Sequence, residues 1–173
     1  MVDYVQLANK NIQNDSIVDG EGIRSVIWFQ GCFHNCPGCH NPETHDFKAG
    51  YKVKIDDLKR EISELEFQSG VTFSGGDPMM QVEALIQLAK CVKENNMNVW
   101  VYTGYTFEEL LKLGESNDRY KEVLKYIDVL VDGKFDLKLK SFDAIFRGSS
   151  NQRIIDVQKS VLSNKVVLVE KYK

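Results

Sequence analysis

Residues Ser25–Thr44 read SVIWFQGCFHNCPGCHNPET, and they hold three of the four cysteines in a chain of 173 residues. The first six, Ser25–Gln30, are bulky and β-branched, the composition of a strand. The next fourteen, Gly31–Thr44, pack Cys32, Cys36 and Cys39 among His34, His40 and a Pro-Gly pair. A strand that runs into glycine and metal-ligating residues has the layout of an α/β sheet, where reactive groups gather at the carboxyl ends of strands.

Outward from that stretch, apolar runs bounded by Gly and Asp alternate with helical periodicity. IDDLKREISELEF places Ile55, Leu58, Ile62 and Leu65 at spacings of three and four, one face of a helix. VTFSGG follows as a strand, then VEALIQLAKCV as a helix with Val82, Leu85, Ile86, Ala89 and Val92 on its inner stripe. Cys91 falls away from that stripe, which predicts a flank position with no ligand role. NVWVYTGY is a third strand, a helical stretch from Phe107 to Tyr126 is interrupted near GESND, and IDVLVDG is a fourth strand. Such alternation predicts a parallel sheet with helical crossovers. From Asn151 onward two β-rich runs follow with no long helix between them. With no repeat, low-complexity tract or linker, one α/β domain over 1–173 is expected.

An apolar fraction of 43% suits a globular protein, and a formal charge of −3 argues against charge-driven nucleic-acid binding. No run approaches the roughly 20 apolar residues that span a bilayer, and the first residues have no basic-then-apolar leader pattern. A cytoplasmic location follows as the expectation. Thiols stay reduced there, so clustered cysteines point to metal or redox chemistry rather than disulfides.

C-x3-C-x2-C admits three chemistries. A closed zinc site needs a fourth ligand, which His34, His40 or His45 would supply, and would leave the glycine-rich strand ends SGGDP, YTGY and VDGK without a purpose. A thiol redox pair in CPGC would leave Cys32 idle. An iron–sulfur cluster on three thiolates leaves one iron open for chemistry.

The triple at the end of the first strand, with Gly-Gly-Asp after the second, resembles the radical S-adenosylmethionine enzymes. VDGEGIR and CHNPET are similar to the activases of glycyl-radical enzymes, and SGGDP, VWVYTGY, VLVDGKF and RGSSNQR to the activases of anaerobic ribonucleoside-triphosphate reductase. The resemblance covers nearly the whole chain. Two positions depart from the wider pattern: Gly38 stands where an aromatic residue often precedes the third cysteine, and Glu21 where activases commonly have Pro. The resemblance implies an open, partial parallel β/α barrel of the radical SAM type. It implies a [4Fe-4S] cluster on Cys32, Cys36 and Cys39, with the methionine amino and carboxylate groups of S-adenosyl-L-methionine on the fourth iron. Reductive cleavage of that cofactor to methionine and a 5′-deoxyadenosyl radical would place a glycyl radical near the C-terminus of the reductase large subunit, with an electron donor such as flavodoxin. A pyruvate formate-lyase activase shares the chemistry but differs in partner, and a zinc-stabilised binding module is the non-enzymatic alternative.

Individual residues carry two readings each. Gly75, Gly76 and Asp77 form either a strand-to-helix turn capped by Asp77 or a cradle that accepts hydrogen bonds from a cationic amine, which the resemblance makes the cofactor's. The resemblance gives Gly38, Cys39 and His40 backbone contacts to adenine, while His34 and His45 read as polar loop residues. Asp132 and Lys134 form either a surface ion pair or, by resemblance, a contact with the cofactor's carboxylate and sulfonium. Thr103 and Gly104 are expected to line the same pocket, with Tyr102 or Tyr105 packing on it. Arg147, Asn151 and Arg153, in a polar Gly-containing loop, are candidates for docking the partner.

Overall fold

In the computed structural model, which describes residues 1–173, the strand expected at Ser25–Gln30 forms as Arg24–Phe29 and lies inside the sheet. In chain order the elements are β1 (Tyr4–Leu7), β2 (Gln13–Ser16), β3 (Arg24–Phe29), β4 (Tyr51–Lys54), α1 (Ile55–Ser63), β5 (Gly70–Gly75), α2 (Val82–Glu94), β6 (Asn98–Tyr102), α3 (Phe107–Ser116), α4 (Arg119–Leu124), β7 (Val129–Asp132), β8 (Arg153–Asp156) and α5 (Val157–Ser163). The eight strands run in the order β4-β1-β3-β5-β6-β7-β8, with β2 on β3, and the two ends do not meet, so the sheet is open.

The four predicted strands are the parallel centre, β3, β5, β6 and β7, in the register Phe29↔Gly75, Phe73↔Val101 and Val101↔Leu130. The sheet as a whole is mixed, however, and corrects the all-parallel expectation. β1, β2 and β4 join antiparallel on the β3 side, and β8 joins antiparallel to β7. β2 carries no apolar residue, and β4 alternates apolar and polar (Tyr51-Lys52-Val53-Lys54) over only four mostly exposed residues, the shortest run by which a half-buried strand is recognised. The helix from Phe107 breaks where GESND predicts, and α3 starts with a capping box in which Thr106 and Glu109 each satisfy the other's backbone N–H.

Alternation along the central strands gives the sheet two unlike faces. Ile27, Phe29, Val71, Phe73, Val99, Val101 and Leu130 join the helices in the main core. Trp100, Val131 and Ile154 point the other way, where Phe146 and Tyr172 rather than helices cover them. Cys91 corrects its predicted flank position: it is buried, and its thiol donates to the Lys59 carbonyl of α1. α2 packs against both α1 and α4, so its apolar arc is wider than a single stripe.

Candidate iron–sulfur site

The loop that leaves β3 is closed at its base. Gly31 N–H donates to the Thr44 carbonyl, Cys32 N–H to His45, and the buried Gln30 amide to the Glu43 and Asp46 carbonyls. Cys36-Pro37-Gly38-Cys39 is a tight turn, with Cys39 N–H on the Cys36 carbonyl and Gly38 at φ +73°. Proline second and glycine third, at positive φ, is the type II pattern. Pro-Gly is therefore the local device that folds Cys36 and Cys39 back toward each other.

Cys32, Cys36 and Cys39 line one cavity of about 110 Å³, together with Ser74, Gly75, Gly76, Thr103, Gly104, Gly133, Phe135 and Gln152. The ends of β3, β5, β6 and β7 thus converge on it. No three His, Cys, Asp or Glu side chains meet at a point suited to one metal ion, which is what a closed tetrahedral zinc site requires. Three cysteines lining one cavity suit a multinuclear cluster, and Gly133, at φ +94°, leaves open space where a Cβ would stand. The donor set and the cradle fit a cluster.

Burial pushes the Cys32 thiol up, against the pull of the His34 and Asn35 backbone amides. Burial also pushes up Cys36, which the Phe135 amide and the Lys134 ammonium partly offset. Amides aimed at sulfur are among the features that tune cluster potentials.

Gly75, which ends β5, and Gly76 after it serve chain-to-chain approach: a Cβ on Gly75 would stand 2.5 Å from the Phe29 carbonyl oxygen, and one on Gly76 2.5 Å from that of Gly31. No protein donor reaches the Gly76 carbonyl. Asp77 is 1% exposed and caps the following turn through Met79 N–H. Its other oxygen accepts from His34 Nε2, Thr103 Oγ1 and Gly104 N–H at 2.8, 2.9 and 3.0 Å. Its carboxylate is thus occupied by the protein, and Asp77 does not line the cavity.

Asp132 is equally occupied, by Phe107 N–H at 2.8 Å and by Arg153 through Nε and Nη2 at 3.0 and 2.5 Å. No Asp132–Lys134 pair forms; Lys134 is exposed and lines a second cavity of about 650 Å³ beside the first, with Asn151 and Arg153. Arg153 also pairs with Glu108 at 2.6 Å, so it is committed inside the chain. Arg147 donates to the Gln152 carbonyl, and Asn151 to that of Lys134. Arg147 and His40 line a third cavity, about 370 Å³, that shares Cys39, Ser74, Tyr102, Phe135 and Gln152 with the cysteine cavity. Gly38 packs on Leu137 instead.

Nothing in the sequence singles out Gln152, whose amide holds the Gly133 carbonyl and accepts from the Gly148 and Ser149 amides. His34, expected as a polar loop residue, is buried against Asp77. A glutamine in a polar loop carries no local signal of such a role.

The profile of the 4Fe-4S single cluster domain family matches residues 18–155. A protein of Haemophilus influenzae is 37% identical over 148 residues, 80% of this chain and 90% of its own, and it is an anaerobic ribonucleoside-triphosphate reductase-activating protein. The chain belongs to that family. Relatives of the same name in Enterobacteria phage T4 and Escherichia coli K12 are 35% and 36% identical, over 79% of this chain and 86% and 90% of theirs. In this member of the activating-protein family the iron–sulfur domain spans β3 through β8, the part of the chain that builds the cysteine cavity. No helix is long and apolar enough to cross a membrane.

Proposed function

We propose that this chain activates an anaerobic ribonucleoside-triphosphate reductase by radical S-adenosylmethionine chemistry, in the cytoplasm, on a partial β/α barrel of the radical SAM type. One observation carries the reading: in a member of the activating-protein family, three cysteines and the glycine-bearing ends of four strands line one cavity. Helices on one face of an open sheet and cavities on the other support the barrel reading. When bound, the [4Fe-4S] cluster supplies one electron that splits the cofactor's sulfonium into methionine and a 5′-deoxyadenosyl radical, which takes the α-hydrogen of a glycine on the reductase.

Cys32, Cys36 and Cys39 hold the cluster, each giving up its thiol proton as iron binds. The Gly76 carbonyl, which has no protein donor and belongs to a residue lining the cavity, would accept from the cofactor's amine. Asp77 acts behind it, as the carboxylate that fixes the turns after β5 and β6. Lys134, exposed and without a carboxylate partner, supplies positive charge at the mouth for the cofactor's carboxylate. Asp132 and Arg153 secure that mouth by joining β7, β8 and the start of α3. The flank lined by His40 and Arg147 leads from Cys39 to the exposed Val18, and it is the side from which a glycine loop of the reductase reaches the radical. A donor such as flavodoxin provides the electron.

The test is an anaerobic mixture of this chain, the reductase, S-adenosylmethionine and a strong reductant, read by electron paramagnetic resonance. A glycyl signal on the reductase that needs all four components is expected. Cofactor cleavage with no such signal would assign the radical to a different partner.

A further inference from the structure

Between Cys32 and Cys39 the loop has almost no backbone support. Its one internal backbone bond is the Cys39-to-Cys36 turn, and no backbone hydrogen bond joins residues 33–38 to the sheet. Apart from the Phe135 amide on the Cys36 sulfur, one side-chain hydrogen bond ties that segment to the rest of the molecule, from His34 Nε2 to Asp77 Oδ2 at 2.8 Å. Both side chains are removed from solvent, at 4% and 1% exposure. A carboxylate on its acceptor side requires Nε2 to carry the proton.

The surroundings are shaped to this ring. Tyr105 meets it edge-on at 4.8 Å between centroids, and Phe33 lies at 5.2 Å. A Cβ on Gly104 would stand 2.4 Å from the imidazole, so the residue after Thr103 must be glycine for the ring to reach its partner. The receiving oxygen is also the one held by Thr103 and Gly104. The thiol-bearing loop, the turn after β5 and the turn after β6 therefore meet on one carboxylate oxygen.

We propose that His34 is a positioning residue for the iron–sulfur site, its bond to Asp77 holding the loop that carries Cys36 against the ends of β5 and β6. The inference rests on the assignment of the cluster to the three cysteines. Partners that orient metal ligands without touching the metal are worth about 10- to 100-fold in metal retention. The imidazole does this here at one remove, through the backbone between Cys32 and Cys36. Gly76, next to Asp77, is fixed relative to the thiols by the same bond.

The test compares the full-length chain with His34→Leu, which removes the donor, and His34→Gln, which keeps an N–H at similar reach. Each is reconstituted anaerobically with iron and sulfide. Iron loss to excess chelator, the resonance spectrum of the reduced cluster and melting of the iron-free chain are then measured. The expected result is iron loss about 10- to 100-fold faster and a broadened spectrum in the Leu variant, with the Gln variant close to native. Iron-free melting that changes much less than iron retention separates positioning from general support. Equal iron loss in all three chains, or equal acceleration in both variants, overturns the proposal. A native chain that takes up no iron overturns the cluster assignment, and this inference with it.

Discussion

Cys36 is the proposed ligand on which the site's chemistry can be tested most sharply, because the Pro-Gly turn that follows it is set by residues 37 and 38 and not by the sulfur. Cys36→Ala should leave the fold intact while abolishing both iron retention and cleavage of S-adenosylmethionine; cleavage by the Ala variant would contradict the assignment. The half-buried thiols also set a pH dependence. With Cys32 and Cys36 raised in the folded chain, the native state holds those protons more tightly than the unfolded one. Stability of the iron-free chain is therefore full below the ordinary thiol range and falls as pH rises through it. Iron loading runs the opposite way, since ligation needs thiolates. Melting of the iron-free chain and iron uptake, measured from pH 7 to 9.5, should diverge, and parallel curves would show that these thiols do not carry the iron.

At the scale of elements, the site is a set of strand ends that must approach closely. Gly75→Ala puts a Cβ 2.5 Å from the Phe29 carbonyl at φ +101°. Strain of roughly 1–3 kcal/mol should appear as a lower urea midpoint, whereas an unchanged midpoint would mean that β3 and β5 yield. Arg153→Met leaves the buried Asp132 with only Phe107 N–H. The loss should be roughly 2–3 kcal/mol, below the fully buried range because Arg153 is a third exposed. A neutral Met variant would mean that water replaces the guanidinium. The parallel strands β3, β6 and β7 were legible in the sequence because burial on both faces makes them read as continuous apolar runs, and β5 because Val71 and Phe73 alternate with Thr72 and Ser74 before the Gly-Gly pair. The edge strands β2 and β4 were not, since β2 is wholly polar and pairs through its backbone, and the alternation in β4 is only four residues long. Glycines at the strand ends pointed to the site, but the first duty of Gly75 and Gly76 is the approach of one backbone to another, and that of Gly104 is to admit the His34 ring. Asp132 and Arg153, 21 residues apart, pair only because β7 and β8 are antiparallel neighbours in register, a contact that one-dimensional spacing cannot show.

For the whole molecule, the cysteine motif told most about chemistry because three thiols at that spacing have few uses, and the family relationship agrees with it. The side proposed to face the reductase was least legible: Arg147, Asn151 and Arg153 are bonded within the chain, and the cavities beside them depend on folding of the whole C-terminal third. The central claim is that the cavity holds a redox cluster and does not hold a structural ion. The most direct measurement is metal content after anaerobic reconstitution, followed by an assay for 5′-deoxyadenosine from S-adenosylmethionine under a strong reductant. About four irons per chain together with 5′-deoxyadenosine is the predicted result; one zinc per chain and no 5′-deoxyadenosine would contradict it.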